Sequence, residues 1–293
     1  LTASAGRPTS QSATHSATLL PALALFGSMV SVNTGAAFAK GLFPLVGSEG
    51  VTALRVGIAT ILLLVAFRPW RRPLARADMG NLLVYGLMLG LMNLLIYGAF
   101  KTIPIGVAVA IEVTGPLAVV ILHSRRARDF AWVACAVLGL YLLLPLRAQA
   151  APLDPLGVAY AFGAALCWAL YIVFGKRVAH MDGTQAVSWG MLAACLLALP
   201  LGVAHAGLTL LEPHVLAIGV VIAVLSSGIP YLLEMTALRR LPHRVFGILV
   251  SSSPAIGALA GFVLLGERLS GMQWLAMALI IGASAGSAAT SRD

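Results

Sequence analysis

Charge is what this sequence has least of. Only 10% of its 293 residues are Asp, Glu, Lys or Arg, against about 25% in an ordinary soluble domain, and no soluble fold could cover the 60% that are hydrophobic. Acids are the scarcer sign, with 10 Asp and Glu against 19 Lys and Arg. The net charge of +9 does not point to nucleic acid, because no basic block is interleaved with aromatics and the bases sit in short gaps between apolar runs. Cysteine is confined to Cys135, Cys167 and Cys195, each inside an apolar segment, with no C-x-x-C and no His at ligand spacing. That excludes a metal site built on thiolates and leaves three small buried residues. A Walker A sequence is also missing, so ATP is not the energy source. GASAG (282–286) matches the G-x-S-x-G elbow of serine hydrolases, but no strand precedes it and no triad His follows it. No enzyme activity, cofactor or metal is expected.

What the chain has is oil in pieces of bilayer length. A helix needs about 20 apolar residues to cross the hydrocarbon core, and ten candidate spans recur, at 18–38, 48–67, 80–99, 103–122, 130–146, 155–175, 185–204, 213–237, 244–265 and 271–288. Barrel strands would be shorter and would alternate. The expectation is an all-α polytopic membrane protein with ten transmembrane helices. Residues 1–17 are rich in Ser, Thr and Ala and read as a disordered tail, as do 289–293. The AFA at 37–39 resembles a signal-peptidase site, but no basic region precedes the first apolar run.

That first run also recurs. FGSMVSVNTGAAFAK (26–40) has a counterpart in FGAALCWALYIVFGK (162–176), and NLLIYGAFKTIPIGVAVAIEVTGP (93–116) aligns without gaps on YLLEMTALRRLPHRVFGILVSSSP (231–254), matching Pro104 to Pro242 and Pro116 to Pro254. FAWVACAVL (130–138) resembles MQWLAMALI (272–280) around Trp132 and Trp274. The chain divides into five-helix repeats at 18–147 and 148–288. Five is odd, so the second copy enters the membrane from the opposite side, an inverted repeat of the kind found in secondary transporters. The charges agree. With the N-terminus inside, cytoplasmic segments hold fourteen of the nineteen bases, including Arg68, Arg71, Arg72, Arg76, Arg125, Arg126, Arg239 and Arg240, which is a strong positive-inside bias for two cytoplasmic termini.

An ionised side chain at mid-bilayer costs about 2.5–3.5 kcal/mol on insertion scales, so each one needs a partner, a water-filled cavity or a proton. Three qualify. Glu112 lies about 12 Å along a helix from Pro104, too deep to snorkel, and Pro116 lacks the N–H that would satisfy the residue 112 carbonyl. Acid and freed carbonyl therefore coincide near the midplane, suited to a proton or a substrate ammonium; a neutral Glu bonded between helices is the structural alternative. Thr114 lies beside it. Arg55 sits about 8–10 Å inside its span, within snorkelling reach, or placed to hold a carboxylate or to pair with Glu112. Glu234 is either an ion-pair partner for Arg239 and Arg240 or a second titrating acid. In the second copy Ser251, Ser252 and Ser253 precede Pro254, polar groups at a helix break that could line a substrate path or serve packing. Pro230 is a third break. Gly86/Gly90, Gly257/Gly261 and Gly282/Gly286 read as close helix contacts.

Nearly the whole chain, about 19–288, resembles the EamA-type transporters of the drug/metabolite transporter superfamily, and within them the branch exporting threonine and homoserine. LFPLVGSEGVTALRVG (42–57), AIEVTGPLAVVILHSRRARDFAWV (110–133), PYLLEMTALRRLP (230–242) and FVLLGERLSGMQWLA (262–276) carry the likeness. LGERL is general to EamA halves, while TGPLAV, SRR and LEMTALRRLP are more specific to the branch. The resemblance implies proton-coupled efflux of small neutral amino acids from the cytoplasm of a bacterium, by alternating access across the inner membrane. Glu112 and Glu234 fall on acidic positions of its pattern. Ser253 stands where the branch carries an acid before the ninth-helix proline. The partners implied are a small amino-acid substrate, protons and membrane lipid, with no nucleic acid; a homodimer is compatible with the sequence. The alternatives are an exporter of drugs or other metabolites, favoured by a dense aromatic cavity, and a non-transporting scaffold or channel.

Overall fold

The computed structural model describes residues 11–122, 127–143 and 153–290, apart from 231, 232, 234–236, 238, 239 and 242. Every element among them is helical. Among the described residues six helical stretches are long and apolar enough to cross a bilayer: Leu19–Phe67, Arg76–Thr102, Pro155–Arg177, Gly183–Leu211, Val245–Leu265 and Gly271–Ala289, with shorter apolar helices over Ile105–Val119, Phe130–Leu143 and Pro213–Ser227. Apolar side chains such as Leu23, Leu62, Leu166, Leu196 and Val263 face outward, as they would toward lipid. The chain is a polytopic membrane protein.

The first two expected spans form one run, α1 (Gln11–Phe67), with non-helical torsions only at Gly47 (φ 68, ψ 172). Residues 11–17, expected within the disordered tail, belong to this helix, and 1–10 lie outside the described residues. The bend at Gly47 is sharp. In a straight helix residues 31 and 55 would stand about 36 Å apart, yet Ser31 Oγ donates to the Leu225 carbonyl at 2.6 Å and Arg55 Nη2 to the neighbouring Ser226 carbonyl at 3.3 Å. Positive φ favours glycine, and a Cβ at position 47 would collide with the His205 ring.

The remaining α-helices are α2 (Arg76–Thr102), α3 (Ile105–Glu112), α4 (Thr114–Leu122), α5 (Ala127–Leu143), α6 (Pro155–Arg177), α7 (Gly183–Ala206), α8 (Pro213–Ala223) continuing through a π-helical turn at Val224–Gly228, α9 (His243–Val250), α10 (Ser253–Leu265) and α11 (Gly271–Thr290), with short 3-10 turns at Pro69–Arg71 and Gly207–Leu211. Small residues set the helix contacts, as expected where lipid removes the hydrophobic drive between helices. A Cβ at Gly90 of α2 would fall 2.9 Å from Ala194 Cα of α7, and one at Gly106 of α3 would fall 2.7 Å from Ala258 Cα of α10. Gly286 of α11 seats the Trp132 ring of α5, whereas Gly282 meets nothing within 4 Å, so only one member of that expected pair packs a helix.

Polar contacts tie the helix ends into two groups. In one, Lys40 Nζ pairs with Glu267 Oε1 at 2.6 Å, Glu267 Oε2 accepts the Ile105 amide at 3.0 Å, and Thr102 hydrogen-bonds Asp154. In the other, Arg72 pairs with Asp182, Gln185 donates to the Arg72 carbonyl at 3.2 Å, and His180 meets Asp78 at 3.1 Å. Hydrogen bonds from Thr184 and Arg72 hold the Asp182 carboxyl below the usual carboxylate range.

Candidate functional site

Two helices are broken at matching places. α3 stops at Glu112, four residues before Pro116, and α9 stops at Val250, four residues before Pro254. Each proline withholds the N–H that would have closed the bond to that terminal carbonyl. At the first break the Thr114 hydroxyl donates to the Ile111 carbonyl at 2.6 Å, so its proton serves the backbone. Glu112 is 8% exposed. Among the described residues no group hydrogen-bonds its carboxylate and no ion pair includes it. Arg55 acts on it through space, and it acts in turn on the Cys167 thiol of α6.

Arg55 does not pair with Glu112, because its fork is filled elsewhere. Nη1 donates to Asn93 Oδ1 at 2.6 Å, Nη2 to the Ser226 carbonyl at 3.3 Å and Nε to the Ser227 hydroxyl at 3.4 Å, with the guanidinium 5.2 Å from the Tyr97 ring centroid. The Ser226 carbonyl is available for a covalent reason: its ordinary donor would be the amide of residue 230, which is Pro230. The π-helical turn just before that proline marks the same irregularity, a feature frequent at functional sites.

At the second break the three serines separate. Ser251, 1% exposed, is bonded to the Gly247 carbonyl and to Ser284 Oγ of α11, both at 2.7 Å, and Ser252 donates to the Leu249 carbonyl at 2.7 Å. Both hydroxyls serve helix structure. Ser253 instead faces Asn33 of α1, whose Nδ2 lies 3.5 Å away and also donates to the Met29 carbonyl at 2.8 Å. Glu234 lies outside the described residues.

A cavity of about 290 Å³ lies near the Arg72–Asp182 end, lined by residues including Tyr85, Tyr171, Gly175, Met181 and Ala186. The two tyrosine rings stack at 4.6 Å with their hydroxyls 3.0 Å apart. None of the expected site residues lines it. Asn33, Asn93, Tyr97 and Ser226 were not singled out by the sequence reading, which weighed ionisable groups inside the spans. An amide in an apolar run and the residue four before a proline were the available signals.

Broken helices that each end at a polar locus, within a bundle whose outer faces are apolar, are the arrangement on which secondary membrane transporters are built. A sequence model described as the EamA-like transporter family matches residues 155–288. The chain is 49% identical over 273 residues to the threonine/homoserine exporter RhtA of Salmonella typhimurium strain LT2, covering 93% of this chain and 92% of that one, and 48% identical over the same lengths to RhtA of Escherichia coli K12. It is 28% identical over 242 residues to the uncharacterized inner membrane transporter YedA of Escherichia coli K12, covering 79% and 78% of the two chains. A crystal structure matches with a TM-score of 0.57 at 22% identity, over 94% of this chain and 96% of that one, a likeness of fold. The chain belongs to the EamA-like transporter family.

Proposed function

We propose that this protein exports threonine, homoserine and similar small neutral amino acids across a bacterial inner membrane, driven by inward proton movement. The observation that carries the reading is identity of 48–49% over 93% of the chain to proteins named threonine/homoserine exporters. In this reading Glu112 alternates between a proton and the substrate ammonium, Arg55 turns from Asn93 to grip the carboxylate, and Pro116, Pro230 and Pro254 keep backbone carbonyls out of helical hydrogen bonds beside the path. Glu234, four residues beyond Pro230, is the second candidate acid.

The architecture proposed is ten spans in two inverted five-helix repeats. Breaks four residues before Pro116 and Pro254 support it. So do the end contacts: Lys40, Thr102, Ile105, Asp154 and Glu267 all fall outside in that topology, and Arg72, Asp78, His180, Asp182 and Gln185 all fall inside. Single cysteines in 68–76, 124–129 and 239–243 of a Cys-free protein are expected to resist a membrane-impermeant thiol reagent in intact cells. Ready labelling of all three segments would reverse the orientation.

Flux in reconstituted vesicles tests the function. A pH gradient is expected to drive threonine and homoserine transport above that of protein-free vesicles. No hydroxy amino acid flux from a folded, inserted protein would favour an exporter of drugs or other metabolites.

A further inference from the structure

The four half-helices beside the two breaks are not packed alike. α3 and α10 lie against each other: a Cβ at Gly106 would fall 2.8 Å from the Ala258 nitrogen and one at Gly257 would fall 3.6 Å from Gly106 Cα. Every residue of α3 is buried. Among the described residues α4 and α9 make no comparable contact with each other; α4 lies on α6 and α11, and α9 on α11 and α1. In the proposed topology α3 and α10 are the outer halves of the fourth and ninth spans, and α4 and α9 the inner halves. The outer halves are therefore closed on each other and the inner halves are not.

At the outer end of the α3–α10 contact one carboxylate joins three segments. Glu267 follows α10, its amide bonds back to the Gly261 carbonyl at 3.1 Å, and its side chain lies over Gly261, where a Cβ would collide with it. Oε2 accepts the Ile105 amide at 3.0 Å, the first N–H of α3, which has no acceptor within its own helix and favours a negative charge. Oε1 accepts from Lys40 Nζ of α1 at 2.6 Å, and Lys40 also donates to the Ile103 carbonyl at 3.4 Å. The Lys40 and Glu267 side chains are 23% and 12% exposed, so water has little access to the bond between them. α10 packs on both α1 and α3, and movement of its outer end away from either breaks a bond to Glu267.

We infer that Lys40 and Glu267 are the latch of an external gate, shut in this structure, which must release before a substrate can leave between α3 and α10. The gate rests on the proposed topology and on transport as such, and is independent of which amino acid is carried. Substrate at Glu112, the foot of α3, would reach the outside only after this contact parts.

The test reads access from outside and needs no substrate. Val109 of α3 stands one turn below Gly106 and is 7% exposed. In Cys-free full-length protein carrying Val109→Cys, a membrane-impermeant thiol reagent applied to intact cells is expected to react slowly. Adding Glu267→Gln, which keeps an acceptor for the Ile105 amide, or Lys40→Met, which keeps the apolar stem, should speed the reaction about tenfold, the effect of losing one charge-assisted hydrogen bond on the balance of shut and open states. Lys40→Arg, which retains the charge, should leave it slow. Ala53→Cys, buried where α1 faces Gly202 of α7, is the control and should keep its rate in every variant. Unchanged labelling at position 109 in both neutral variants overturns the latch and leaves the pair as a structural tie, and a parallel rise at position 53 overturns it as general loosening; amino-acid export survives both results. Faster labelling confined to inside-out vesicles keeps the latch and reverses the orientation that makes it external.

Discussion

Glu112→Gln is expected to insert and fold, yet to lose threonine efflux driven by a pH gradient, down to the level of protein-free vesicles. The amide keeps the size of the side chain and its capacity to hydrogen-bond, and loses titration. Folding should survive because no described hydrogen bond or ion pair depends on the carboxylate. The backbone irregularity beside it belongs to Pro116 and is untouched by the change. Efflux that kept its normal rate and pH dependence in this variant would return Glu112 to a structural part.

Arg55→Lys carries the next largest effect. Arg55 reaches Asn93, Ser226 and Ser227 through three different nitrogens, a planar fork that also matches a carboxylate; lysine offers one compact ammonium in its place. Loss of one charge-assisted hydrogen bond, about 1.5–3 kcal/mol, is expected to raise the KM for threonine about tenfold or more. Turnover at saturating substrate should fall less, because Glu112 is intact. An unchanged KM in folded Arg55→Lys protein would remove Arg55 from the substrate path and leave it as a tie between α1, α2 and the turn after α8.

How much of this is legible before any coordinates depends on the length scale. Membrane-length apolar runs, small-residue contacts such as Gly90 on α7 and the break beside Pro116 all follow from local chemistry, and the sequence reading reaches them. Contacts between distant segments do not. Arg55 could snorkel, pair with Glu112 or hold a ligand as far as depth alone decides; its actual partners, Asn93 and Ser226, lie 38 and 171 residues away. The three serines before Pro254 look equivalent in sequence. They separate only when helix phase turns Ser251 onto Ser284 and Ser253 onto Asn33.

The bend at Gly47 bears on how such a molecule can move. Helix persists up to that residue on one side and resumes directly on the other, so the two arms of α1 have no loop to stretch between them. The turn between them is set by the φ and ψ bonds of one residue, with the His205 ring against it. Asn33 rides on one arm and Arg55 on the other. Any rocking of one arm against the other pivots there, as a pair of jaws shares a pin.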